Sequence, residues 1–121
     1  MSGVYNETYF STRPEIANQP GILYCVILVN KRTLEREVLK IGIAKGRSYK
    51  DAVKRSFGFK GYDLRIQKIY CATLYEVWSL EQELHQKWKH KKKVPSVAFG
   101  GYTECFEICP EIIASIPKNN S

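Results

Sequence analysis

A chain of 121 residues with 44% hydrophobic and 12% aromatic residues can bury one core of ordinary domain size without disulfides or a structural metal. Its net charge of +7 favours polyanionic partners over acidic or neutral ones, although charge alone does not separate DNA from RNA. The stretch from Met1 to Pro20 mixes Asn, Glu, Ser and Thr with aromatics and has no continuous apolar run. It therefore reads as neither a signal peptide nor a membrane span, and the cytoplasm is the expected compartment.

In chain order, residues 1–19 read as an amino-terminal extension. Ile22 to Val29 is a continuous β-prone apolar run, the pattern of a buried strand. Asn30 to Arg36 is polar and opens on a turn former, and Val38 to Ala44 is apolar again, so the two runs predict a hairpin. Ser48 to Phe57 carries Ala52, Val53, Ser56 and Phe57 at helical spacing, with Ser48 as cap and Asp51 at the capping-box position. After glycines at 58 and 61, Asp63 to Leu74 reads as a third strand. A long helix is expected from about Glu76 to Lys91, with Val77, Leu80, Leu84 and Trp88 on its apolar stripe. Pro95 and Gly100-Gly101 mark a loop, Thr103 to Ile108 is strand-like, and Pro110 opens a last helix over Glu111 to Ile116. The expected fold is α+β: a small, mainly antiparallel three-stranded sheet flanked by helices, with a main domain over 20–109 and a short helix and tail over 110–121. The four cysteines, Cys25, Cys71, Cys105 and Cys109, are expected to stay reduced, most of them packed as small hydrophobes.

Several polar residues stand inside apolar frames in a fixed order. They are Tyr24 in Gly21-Ile22-Leu23-Tyr24, Lys40 in Leu39-Lys40-Ile41-Gly42, Arg55 in Val53-Lys54-Arg55-Ser56-Phe57, and Glu81 and His85 in Leu80-Glu81-Gln82-Glu83-Leu84-His85. A phenol, an ammonium, a guanidinium and a carboxylate are the groups that phosphodiester hydrolysis uses: a proton acceptor, two cations for phosphate charge and a hard oxygen ligand for a divalent metal. Each also has a plainer reading. Tyr24 fits an amphipathic strand, Arg55 a solvated helix face, Glu81 a surface ion pair and His85 a structural imidazole. Lys40 is harder to dismiss, because an ammonium in an apolar strand costs free energy unless it is paired or reaches solvent.

In this order the motifs resemble the GIY-YIG nuclease superfamily, over roughly residues 20 to 108. The first motif is Gly-Ile-Leu-Tyr with one residue extra, and lysine stands in the second where the name-giving tyrosine would be. That Lys-Ile-Gly variant, His85 one turn after Glu81, and Gly101-Tyr102-Thr103-Glu104-Cys105-Phe106 are most similar to the phage and mobile-element branch. The resemblance implies a metal-dependent endonuclease with one Mg²⁺ (or Mn²⁺) ion held by Glu81, Arg55 against the phosphorus in the transition state, and Tyr24 as general base. Lys40 would lower the Tyr24 pKa, act as the base itself or contact phosphate, and Glu104, in a β-prone run, would help to orient the site or cap a loop.

Substrate contacts are expected from Lys45, Arg47, Lys50, Lys54, Lys60 and Arg65, which alternate with Tyr49, Phe57, Phe59 and Tyr62, and from Lys89 and Lys91 in a second basic run. DNA is the expected partner ahead of RNA. Sequence specificity would come from loops, a second copy of the chain or another protein. The competing reading is a nucleic-acid-binding module that keeps this fold without catalysis, for which lysine at position 40 is the best support.

Overall fold

The computed structural model describes residues 5–48, 61–97 and 104–118. Two short helices, α1 (Glu7–Ser11) and α2 (Pro14–Ala17), lead into β1 (Pro20–Asn30), β2 (Arg36–Lys45) and β3 (Tyr62–Thr73). Helix α3 (Leu74–Lys87), a 3-10 turn (Lys89–Lys91), strand β4 (Cys105–Phe106) and helix α4 (Pro110–Ala114) follow. The sheet is antiparallel with strand order β3-β1-β2-β4. It has four strands among the described residues, not the expected three, because the strand-like segment near residue 105 joins β2 at Leu39 and Lys40. The helix expected over Ser48 to Phe57, with Arg55, lies almost wholly outside the described residues, as do Lys50, Lys54 and Lys60.

Strand β1 is apolar throughout because both of its faces are covered. Leu23, Cys25, Ile27 and Val29 pack with Leu39, Ile41 and Ile43 of β2 and with Leu74, Val77, Trp78 and Leu84 of α3. Ile22, Tyr24, Val26 and Leu28 point the other way, with Val38, Tyr62 and Cys105. The period of two along a strand thus puts Tyr24, Lys40 and Gly42 on the face opposite the main α3 contact. The amino-terminal segment is part of the fold. Phe10 of α1 is buried in the α3-side core, within 5.5 Å ring-to-ring of Tyr75 and Trp78, and the Tyr75 hydroxyl donates to Glu7 at 3.0 Å.

Helix α3 starts where Thr73 accepts from the Glu76 amide at 3.2 Å and the Leu74 amide reaches Gln19 O at 2.7 Å. It ends earlier than Lys91, because the backbone leaves the α conformation at Trp88 and tightens into the 3-10 turn. Lys89 and Lys91 therefore sit on a separate turn, with Lys91 4.0 Å from Glu107. None of the described helices is long and apolar enough to cross a membrane.

At the far end of the hairpin, Asn30 closes the turn by accepting from the Arg32 and Thr33 amides. Its Nδ2 donates to Glu37 at 2.7 Å, and Glu37 also accepts from Tyr62 OH and from the Ser96 amide and hydroxyl. Desolvation pushes the Glu37 carboxyl up, but these bonds outweigh it and hold the pKa at about 2. Glu37→Ala is expected to cost about 2–3 kcal/mol in a denaturant melt at pH 7, because four donors lose one charged acceptor. The loss should vanish as pH falls from 4.5 towards 2, where the wild-type carboxyl protonates.

Candidate functional site

The two motif glycines are explained by close approach. A methyl group at Gly21 would lie 2.7 Å from Leu74 Cα, so its absence lets β1 seat against the start of α3. A methyl at Gly42 would lie 2.6 Å from Tyr24 Cζ. Tyr24 and Gly42 are register partners, so the phenol lies across the bare backbone of β2 with its hydroxyl above Gly42. Gly42→Ala is expected to displace that ring, at a cost of about 1–3 kcal/mol in an unfolding titration and with a drop in any activity that depends on Tyr24. Unchanged stability would contradict the packing.

Lys40 is the register partner of Val26 and Cys105 and is buried, with 2% of its surface exposed. Its Nζ lies 2.7 Å from Glu104 Oε2 and 5.8 Å from the centre of the Tyr24 ring. Burial works against the Lys40 charge, but the fields of Tyr24 and Glu104 and the ion pair outweigh it, so its pKa is raised. Burial likewise opposes the Glu104 charge, and Lys40 overcomes it, holding that carboxyl below its ordinary value. Glu104, expected to help orient the site or to cap a loop, is the direct counterion of Lys40. The Lys40 ammonium lies near the Tyr24 ring and is shared with a carboxylate.

Glu81 lies on the core-facing stripe of α3 with Leu74, Val77, Trp78 and Leu84, and none of its surface is exposed. Gln82 Nε2 approaches its Oε1 at 3.4 Å, while Oε2 has no hydrogen-bond partner among the described residues. Burial first, and then the Glu104 charge, push its pKa up to about 8, with Lys40 offsetting only part of this. No ion pair joins Glu81 to Lys40. A buried carboxyl oxygen left without a donor fits a cation-binding position, because a divalent ion would displace the proton that burial holds there and supply the counter-charge itself. Among the described residues no group of three or more His, Cys, Asp or Glu is gathered as a metal cage.

His85 is one turn further along α3. Alternation from the Gly46 amide, which donates to Pro20 O, turns the Ile41 carbonyl away from β1, towards the side where β4 pairs at Leu39 and Lys40 and no further. His85 Nε2 takes that carbonyl at 3.1 Å, and its ring meets Phe106 edge-on at 5.3 Å. Burial lowers the His85 pKa, so the imidazole is neutral at pH 7.

Of the other expected contacts, Lys45 and Arg47 are exposed at the end of β2, and Arg65 is exposed on β3. The Cys25 and Cys105 thiols are buried, and burial pushes each to about 12. None of the four cysteines is in a disulfide. Lys68, which sequence reasoning passed over, reaches Ile113 O at 2.8 Å and Ile116 O at 2.6 Å and so ties the end of α4 to β3. The structure thus brings Tyr24, Lys40 and Glu104 together on one side of the sheet, while Glu81 and His85 stand on α3, which packs on the other side, and feel the charges of Lys40 and Glu104. No protein-family model, no curated protein and no solved structure matches this chain.

Proposed function

We propose that the protein is a metal-dependent nuclease that hydrolyses phosphodiester bonds in nucleic acid, DNA ahead of RNA, as the GIY-YIG resemblance implies. The observation that supports this best is Glu81: a carboxyl group sealed in the core, with no hydrogen-bond partner for Oε2 among the described residues and a pKa pushed up to about 8 by burial and the Glu104 charge, is costly to keep. A purely structural role would be served better by an apolar residue. A divalent ion, Mg²⁺ or Mn²⁺, bound there would neutralise phosphate charge and stabilise the departing oxygen.

In this reading Glu81 holds the ion. Tyr24 accepts the proton of the attacking water, with its hydroxyl fixed over Gly42. Lys40 lowers the cost of the phenolate and is itself anchored by Glu104. Arg55 stabilises the charge that develops on the phosphorus. The basic side chains Lys45, Arg47, Lys50, Lys54, Lys60, Arg65, Lys89 and Lys91 hold the backbone of the substrate.

One observation favours the competing module without catalysis. Lys40 is satisfied by Glu104 at 2.7 Å, which is also what a structural lysine needs. Incubating the purified protein with supercoiled plasmid, single-stranded DNA and structured RNA separates the two. Cleavage with Mg²⁺ or Mn²⁺ that chelator abolishes supports the nuclease. Retarded mobility without cleavage in any metal supports the binding module.

A further inference from the structure

His85 Nε2 faces a carbonyl oxygen, which carries no proton to give, so Nε2 must be the protonated nitrogen. In the neutral ring Nδ1 is then a bare lone pair. None of the described residues hydrogen-bonds to it. The ring cannot readily turn to hide it, because Ile41 O fixes one edge and Phe106 packs against the ring.

Glu81 and His85 are four residues apart on α3, so they share one face of the helix at adjacent turns. That face carries two lone-pair groups that could meet a cation: the buried Glu81 Oε2, with no hydrogen-bond partner among the described residues, and His85 Nδ1, to which none of the described residues hydrogen-bonds. Histidines that bind metals characteristically donate the other ring N–H to a backbone carbonyl, which fixes the tautomer and the ring plane. The Ile41 bond is of that kind. The charged groups that act on His85 are Glu104, Lys40 and Lys92, and Lys40 is committed to Glu104.

We propose that His85 is a second protein ligand of the divalent ion, with Nδ1 joining Glu81 Oε2, so that the site takes Mn²⁺ in preference to Mg²⁺. This rests on the metal reading given above and changes its chemistry. A lone carboxylate among waters is a hard site suited to Mg²⁺, whereas an imidazole ligand favours transition metals.

Calorimetric titration of the full chain with Mn²⁺ and with Mg²⁺, for the wild type, Glu81→Gln and His85→Gln, tests the proposal without any substrate. Glutamine at 85 retains an N–H for the Ile41 carbonyl and has no basic lone pair. The wild type is expected to bind Mn²⁺ at least about tenfold more tightly than Mg²⁺, and His85→Gln to lose about tenfold for Mn²⁺ with little change for Mg²⁺. Substoichiometric Mn²⁺ should also broaden the His85 ring nitrogen resonances of the wild type, a readout that needs no variant to fold. Mn²⁺ binding that survives His85→Gln unchanged but is lost in Glu81→Gln overturns the His85 assignment and leaves the metal reading standing. Sharp His85 signals in the Mn²⁺-bound protein overturn it equally. Failure of the wild type to bind either ion overturns both.

Discussion

Lys40→Met is expected to lower the melting temperature by about 10–20 °C, among the largest effects of any single substitution in this chain. The methionine fills most of the space of the lysine stem but leaves Glu104, with 7% of its surface exposed, as a buried carboxylate without the Lys40 ammonium 2.7 Å away. Breaking a buried pair from one side costs about 3–5 kcal/mol, mostly the penalty on the charge that loses its counterion. The double variant Lys40→Met with Glu104→Gln should therefore recover much of the loss. The pH dependence has a fixed sign. Glu104 is held below its ordinary 4.5, so the contribution of the pair is complete above that value and fades as pH falls through the lowered one. The Lys40 pKa is raised, so at the other end the contribution is present below 10.5 and is lost only at higher pH. The gap between wild type and Lys40→Met should consequently shrink in acid. A melting temperature within two or so degrees of wild type at pH 7 would contradict the ion pair.

The second large effect runs in the opposite direction with pH. In the folded, metal-free protein Glu81 keeps its proton up to about 8, whereas the unfolded chain releases it near the ordinary 4.5. Between those values the unfolded state holds fewer protons, so stability falls as pH rises, by as much as about 1.4 kcal/mol per unit. Denaturant melts in chelator at a series of pH values should show this slope in the wild type and lose it in Glu81→Gln. Adding Mn²⁺ at pH 8 should restore stability to the wild type and not to the variant. Equal slopes for the two proteins would mean that Glu81 is not the sealed, unpaired group described.

What the sequence made legible follows from what is local. The run from Ile22 to Val29 reads as a buried strand because both faces are covered, and Lys40 stands out because it interrupts an apolar pattern. The turn at Asn30 and the start of α4 at Pro110 are local chemistry, so they too were readable. The stripe of α3 was legible only in part: Val77 and Leu84 are buried on it. Leu80 and Trp88 were expected on it and are only half-buried, while Leu74, Trp78 and Glu81 are buried. Contact with Phe10 of α1 helps to bury Trp78, and nothing near α3 in sequence announces it. A carboxylate at the seventh position after Leu74 was the available signal, since Leu74, Val77, Trp78, Glu81 and Leu84 form one helical stripe. The Glu37 network and the Lys40–Glu104 pair join residues up to 66 and 64 positions apart. Such pairings depend on strand register and loop return, so the sequence showed the groups but not the partners.

Cleavage and binding measured side by side on wild type and Glu81→Gln test the nuclease reading most directly. Supercoiled plasmid is incubated with each protein and Mn²⁺ or Mg²⁺, and affinity for the same DNA is measured in chelator, with folding checked by circular dichroism. The wild type should nick or linearise the plasmid only with metal, and Glu81→Gln should lose that activity while binding DNA as tightly, because the basic surface is untouched. A folded Glu81→Gln protein that cuts as fast as wild type, or a wild type that binds DNA and cuts nothing in either metal, would contradict it.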